Sequence, residues 1–319
     1  MTTVLVANAF TPEQVGGLAR DFPTVRFVRI GQDGSVPPDA TDGEVLARMS
    51  MWKPEVARVL GEAPGLRWIH SYAAGSDHWF VPEIIERGVV VTRASSAHGI
   101  PIAEFVLAYI LHVTKRFPQF ARDQARHLWQ PPETIQEIRG KTVGVIGAGS
   151  IGREVAARCS ALGMRVIGIR RQAHLPLEHF DEILPVGELA RLLSESDYVV
   201  LSAPSLPQTR GLIAAAQLRA MRPGAYLINV ARGALIVDDD LVRAVREGWI
   251  AGACLDAFVT EPLPTESPLW DEPNIVITPH SSFRSPNGVA RSLGEFKENL
   301  GRYLRGEPLN YLLDFAVGY

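Results

Sequence analysis

Three charged side chains in the second half of this 319-residue chain each follow a short apolar run: Arg232 after 225–229, Glu261 after 252–256, and His280 after 275–278. Their chemistries are complementary. A guanidinium holds a carboxylate and polarises the carbonyl beside it, and an imidazolium protonates an emerging alkoxide. A carboxylate next to the imidazole stabilises its charged form. With a hydride donor added, this set serves the reduction of a 2-keto acid to a 2-hydroxy acid. Each residue alone also has a structural reading: a surface arginine near a turn, a solvated glutamate before Pro262, a satisfied histidine after Pro279. Their succession at the ends of predicted strands, where an open α/β sheet gathers its ligands, favours chemistry.

The hydride donor has its own signature upstream. An apolar run at 142–146 leads into Gly147-Ala148-Gly149-Ser150-Ile151-Gly152, and a helix-compatible stretch covers 153–162. Strand, tight turn and helix form the context that a dinucleotide fingerprint requires. The first glycine permits the turn, the second lets the backbone approach a pyrophosphate, and the third lets helix and strand pack closely. The next predicted strand, 164–169, ends in Arg170-Arg171 rather than in the acid that holds the ribose hydroxyls of NAD. Two guanidinium groups there clamp the extra phosphate of NADP, so the cofactor expected is NADP, with NADPH preferred over NADH.

Elements that position these groups are legible as an alternation. Before the fingerprint, β-rich runs at 3–7, 25–30, 44–49, 66–71 and 89–92 alternate with helix-compatible stretches at 12–20, 54–61 and 82–87. After it the alternation resumes, with strand-like runs at 199–202, 225–229, 252–256 and 275–278. The pattern predicts an α/β fold of two doubly wound parallel-sheet domains, flavodoxin-like and Rossmann, with a cleft between them for the nicotinamide. A helix predicted over 290–304 has no strand left to follow it, which suggests that the tail returns to the first domain. The expected division is a discontinuous substrate-binding domain of 1–98 plus 287–319, and a dinucleotide-binding domain of 99–286. The latter includes an arm at about 101–140: a helix over 101–115, then an irregular aromatic stretch to Gly140.

Composition narrows the class. A hydrophobic fraction of 46% and a charged fraction of 21% are those of an ordinary globular protein, and a net charge of −3 offers no attraction to nucleic acid or an anionic membrane. No run approaches the ~20 apolar residues of a membrane span. Cys159 and Cys254 lie in apolar surroundings without metal-ligand spacing, so they are read as buried thiols in a reducing compartment, with no metal. A cytoplasmic location is expected.

In combination these motifs resemble the D-2-hydroxyacid dehydrogenase family. The resemblance is carried by Gly147–Gly152, Asn229-Val-Ala-Arg-Gly-Ala234, Asp256-Ala-Phe with Glu261-Pro-Leu-Pro264, Ser267-Pro-Leu-Trp270 and Thr278-Pro-His280. Ser202-Ala-Pro, Thr209-Arg-Gly-Leu-Ile213, Ile102-Ala-Glu104 and Gly306-Glu-Pro-Leu309 extend it along the chain. It implies Arg232, Glu261 and His280 as the catalytic set, and Asp256 as the group holding the nicotinamide carboxamide. Pro204, Thr209, Val230 and Ala231 join Gly147, Gly149, Ser150, Ile151, Gly152, Arg170 and Arg171 as cofactor contacts. On the substrate side it implies the loop from Tyr72 to Ser76, with Ala73, Ala74 and Gly75 offering backbone N–H groups to a carboxylate. The segment around Arg48 and Met49, and Ser282 and Phe283 behind His280, complete that side.

Arg170 departs from NAD-dependent relatives, and the alanines of the 72–75 loop and the Ser-Ser-Phe after His280 depart from many members. The pattern is most similar to the glyoxylate/hydroxypyruvate reductase branch, which implies small 2-keto acid substrates. Two alternatives stay open: a reductase for bulkier 2-keto acids such as phenylpyruvate, for which Ala73 and Ala74 leave room, and a dinucleotide-sensing interaction protein of the co-repressor type. The aromatic arm with Phe117, Phe120 and Trp129 suggests a homodimer in which Trp129 reaches the partner's pocket, against a Trp129 packed within its own chain.

Overall fold

A computed structural model describes residues 1–73, 75, 79–94 and 96–315. Within it the chain divides into two compact units, Met1–His98 with Ser285–Tyr319, and Gly99–Arg284.

In the first unit, β1 (Thr3–Val6), β2 (Arg26–Arg29), β3 (Val45–Arg48), β4 (Trp68–Ser71) and β5 (Val90–Arg93) form a parallel sheet in the order β2-β1-β3-β4-β5. β1, β3 and β4 are buried along their whole length, as befits strands covered on both faces. Helix α1 (Pro12–Asp21) starts at a capping box, in which Thr11 and Gln14 satisfy each other's backbone N–H groups, and α2 (Lys53–Glu62) carries proline in its first turn. After α3 (Glu83–Glu86) and β5 the chain leaves this unit, and it re-enters at Ser285. The C-terminal helix, Gly288–Leu304, then presses Phe296 and Leu300 into the same core, with Phe296 stacked on Trp68 at 5.7 Å. Beyond it, Leu313 donates its N–H to Val91 at 2.8 Å, adding the tail to the edge of β5.

The second unit opens with α4 (Gly99–Thr114) and α5 (Phe117–Ala125). Expected to be irregular, 117–125 is helical, because Pro118 occupies the first turn while Arg116 at φ 59° makes the break from α4. Then follow β6 (Thr142–Ile146), α6 (Ser150–Ala161), β7 (Arg165–Ile169), β8 (Glu182–Leu184), α7 (Leu189–Glu195), β9 (Tyr198–Leu201), α8 (Ala215–Ala220), β10 (Tyr226–Asn229), α9 (Asp238–Arg246), β11 (Gly252–Leu255) and β12 (Ile275–Ile277). All strands are parallel, in the order β12-β11-β10-β9-β6-β7-β8. The direction of winding reverses between β6 and β9, and the glycine turn lies at the carboxyl end of β6, at that switch point. Cys159 and Cys254 are buried among Val143, Val200 and Ile228, and burial pushes the Cys159 thiol up to about 12. Among the described residues no helix is long and apolar enough to cross a membrane.

Candidate active site

The glycine turn has three different environments. Gly147 adopts φ 103°, and a Cβ on it would lie 2.6 Å from the Ala203 nitrogen. A Cβ on Gly152 would lie 2.4 Å from the Gly147 carbonyl oxygen and 2.9 Å from Val145 Cγ1. Gly149 caps α6 and has no atom within 4 Å of its Cβ position. Two glycines thus close the strand–helix packing, and the middle one keeps open space before the first turn of α6. That turn directs N–H groups and the positive end of the helix dipole outward, so Gly149, Ser150, Ile151 and Gly152 fit a dinucleotide pyrophosphate. Ser202, just past β9, ties its hydroxyl to the Gly147 carbonyl at 2.8 Å. Arg170 and Arg171 leave the end of β7, Arg170 half-buried and Arg171 exposed. Thr209 shapes its own loop: its hydroxyl donates to the Pro204 carbonyl and accepts from the Leu206 N–H, both at 2.7 Å.

At the end of β10, the fully buried Asn229 organises the loop that carries Arg232. Its Oδ1 accepts the Ala231 N–H at 3.0 Å and its Nδ2 donates to the Arg232 carbonyl at 2.9 Å. Val230 and Ala231 are held buried inside that clamp. A Cβ on Gly233 would lie 2.0 Å from the Phe258 carbonyl carbon. Only glycine lets the Arg232 loop press against the loop that leads to Glu261. Neither Asn229 nor Gly233 was expected as a site residue, although both stand within the Asn-Val-Ala-Arg-Gly motif.

From β11 and β12 come the remaining groups. Glu261 accepts the Phe258 N–H on Oε1 at 2.9 Å and meets His280 Nδ1 with Oε2 at 2.7 Å. His280 stands at φ 47°, a left-handed backbone that costs a non-glycine residue on the order of 1–3 kcal/mol. Phe283 packs edge-on against its ring, with centroids 5.8 Å apart. Asp256, only 1% exposed, accepts the Ser281 and Ser282 N–H groups at 2.9 Å each and the Thr278 hydroxyl. A carboxylate has roughly four acceptor sites, so about one remains for a carboxamide. Glu261, His280, Asp256, Ser282 and Phe283 therefore come together, and the Gly233 contact sets the Arg232 loop against them.

In the first unit Arg48 is 2% exposed. Its guanidinium donates to Ser71 Oγ at 3.0 Å and to the Met51 carbonyl, and lies over the Trp79 ring at 4.6 Å. It faces inward because two acceptors and an aromatic face stabilise it there, and it braces Ser71 against Trp79. The Ala73 N–H donates to Ser71 Oγ at 3.2 Å, and the Gly75 carbonyl accepts from the Trp79 indole at 3.0 Å. Met49 is half-buried against the core of the unit. Ala74 lies outside the described residues.

An open parallel sheet whose order reverses beside a glycine-cradled helix start is the build of an NAD(P)-dependent dehydrogenase. Residues 107–282 match the family described as "D-isomer specific 2-hydroxyacid dehydrogenase, NAD binding domain", and the chain belongs to that family. It is 35% identical to a glyoxylate reductase of Thermofilum pendens, over 79% of this chain and 76% of that protein. Over their whole lengths it superposes with TM-score 0.84, at 27% identity, on an NADPH-dependent glyoxylate/hydroxypyruvate reductase from Sinorhizobium meliloti in complex with NADP and sulfate. A D-isomer specific 2-hydroxyacid dehydrogenase from Xanthobacter autotrophicus, in complex with NADPH and MES, gives TM-score 0.85 at 29% identity, covering 100% of this chain and 99% of that one.

Proposed function

We propose that this enzyme reduces small 2-keto acids, of the size of glyoxylate and hydroxypyruvate, to D-2-hydroxy acids, with NADPH preferred over NADH. The observation that carries the reading is the Glu261–His280 pair at 2.7 Å on the rim that also bears Arg232. Bound reduced nicotinamide supplies a hydride to the keto carbon. Arg232 binds the substrate carboxylate and polarises the keto oxygen. Glu261 holds the His280 ring by Nδ1, so that Nε2 delivers the proton to the alkoxide. Asp256 uses its remaining acceptor site to orient the nicotinamide carboxamide, and Arg170 with Arg171 binds the 2′-phosphate. The names of the Thermofilum pendens and Sinorhizobium meliloti proteins support the substrate class, and NADP in the latter supports the cofactor. The active form is a homodimer in which a second copy covers the arm around Trp129.

Steady-state consumption of NADPH, with NADH in parallel, is measured against 2-keto acids from glyoxylate to phenylpyruvate. Turnover fastest with NADPH and the smallest acids is the expected result. A preference for phenylpyruvate overturns the substrate class. Tight dinucleotide binding without turnover of any keto acid overturns the reaction.

A further inference from the structure

The backbone of His280 is strained, yet it stands between the residues that a single buried carboxylate holds in place. Thr278 lies two positions before it, Ser281 and Ser282 directly after, and all three donate to Asp256. The His280 N–H also donates to the Thr278 carbonyl at 3.0 Å, closing the turn on itself. A left-handed residue of this kind persists where its surroundings over-determine it.

The polarity of the network is fixed by its chemistry. A carboxylate only accepts, so the single hydroxyl proton of Thr278 points at Asp256. The Thr278 oxygen is then the acceptor for the hydroxyl of Tyr109, on α4. Burial pushes the Tyr109 phenol well above its ordinary value, so the donor at the head of the chain keeps its proton.

We propose that Tyr109, Thr278 and Asp256 form a one-way hydrogen-bond relay that locks the His280 turn in its left-handed conformation and so aims the imidazole. Tyr109 and Thr278 are positioning residues: they act on His280 through Asp256. The proposal rests on the reading of His280 as the proton donor. Losing one hydroxyl partner leaves the next group in the chain underbonded and frees the turn to relax, and a misaimed proton donor lowers the rate of the chemical step rather than dinucleotide affinity.

The test compares Thr278→Val, Thr278→Ser and Tyr109→Phe in the full-length enzyme, reading kcat, the NADPH dissociation constant and the side-chain NMR resonances of His280. Thr278→Val is expected to lower kcat about tenfold and Tyr109→Phe about threefold, with NADPH binding within about twofold of the parent. Thr278→Ser, which keeps the hydroxyl, is expected to retain kcat within about twofold. Equal loss in Thr278→Ser and Thr278→Val overturns the relay in favour of methyl packing. Unchanged kcat in Thr278→Val, or a loss matched by weaker NADPH binding, overturns it too. If the parent enzyme turns over no keto acid, the functional reading fails alone and the His280 resonances decide: shifted by Thr278→Val but not by Thr278→Ser if the relay exists, the same in all variants if it does not.

Discussion

Glu261 divides its two oxygens between structure and chemistry. Oε1 accepts the Phe258 N–H and fixes the carboxylate, while Oε2 faces the imidazole. Glu261→Gln preserves the first contact and removes the negative charge from the second. If Glu261 orients His280 as the proposed proton donor, Glu261→Gln is expected to lower kcat at least about tenfold while NADPH binding stays within about twofold. An unchanged kcat assigns Glu261 another role. At the other end of the cofactor, Arg170→Asp with Arg171→Ser is expected to weaken NADPH binding by at least about tenfold and NADH binding by less than about threefold. An unchanged ratio of the two affinities removes the phosphate clamp. Arg232, Glu261 and His280 were legible as candidates because their types and their order after apolar runs have one chemical reading in common. The inward bonding of Arg48 was not: the resemblance placed its segment on the substrate side, and its contacts with Ser71, Met51 and Trp79 depend on strands that only the folded sheet sets side by side.

At the scale of elements, the strand–turn–helix of β6 and α6 separates the two jobs of its glycines. Gly152→Ala drives a Cβ into the Gly147 carbonyl, an overpacking that costs about 1–3 kcal/mol and lowers the melting temperature by about 5 °C. Gly149→Ala meets open space, so the melting temperature moves by less than about 1 °C while dinucleotide affinity falls about tenfold. Thermal melts with and without NADPH read both. Full affinity in Gly149→Ala disconnects that open space from the cofactor. Most strands announced themselves as β-rich apolar runs between turn residues. The three-residue β8 did not, because its single turn of alternation, Glu182-Ile-Leu184, becomes a strand only through its pairing with β7.

At the scale of the whole molecule, Trp129 is 94% exposed, with Phe117, Leu128 and Ile135 also exposed on the segment around it. If a second copy covers these residues, as proposed, the enzyme is expected to sediment as a dimer and Trp129→Glu to shift it toward monomer. A dimer indifferent to that change is built elsewhere. The first unit also carries a built-in acid limit. Burial among Trp68, Tyr72 and Phe296 holds His70 down at about 3, so it is neutral when folded and binds a proton on unfolding below its ordinary value near 6.5. Stability is therefore complete above about pH 6.5 and falls as pH drops toward 3, at up to about 1.4 kcal/mol per pH unit. Urea midpoints at pH 7 and pH 5 should differ less in His70→Gln than in the parent. An equal difference in both assigns the acid sensitivity to other groups.

By itself the sequence determined the alternation of strands and helices, the glycine turn with its following arginines, and the three charged groups at strand ends. Each of those is written in local patterns, where the period of burial and the freedom of glycine act over a few neighbouring residues. Tertiary structure alone decided which partner each buried polar group took. Asp256 gathers the His280 turn, Asn229 clamps the Arg232 loop, Gly233 admits the neighbouring loop, and Phe296 returns to stack on Trp68, more than 200 positions earlier in the chain. These choices follow from which strands and helices pack together, and no run of neighbouring residues encodes that.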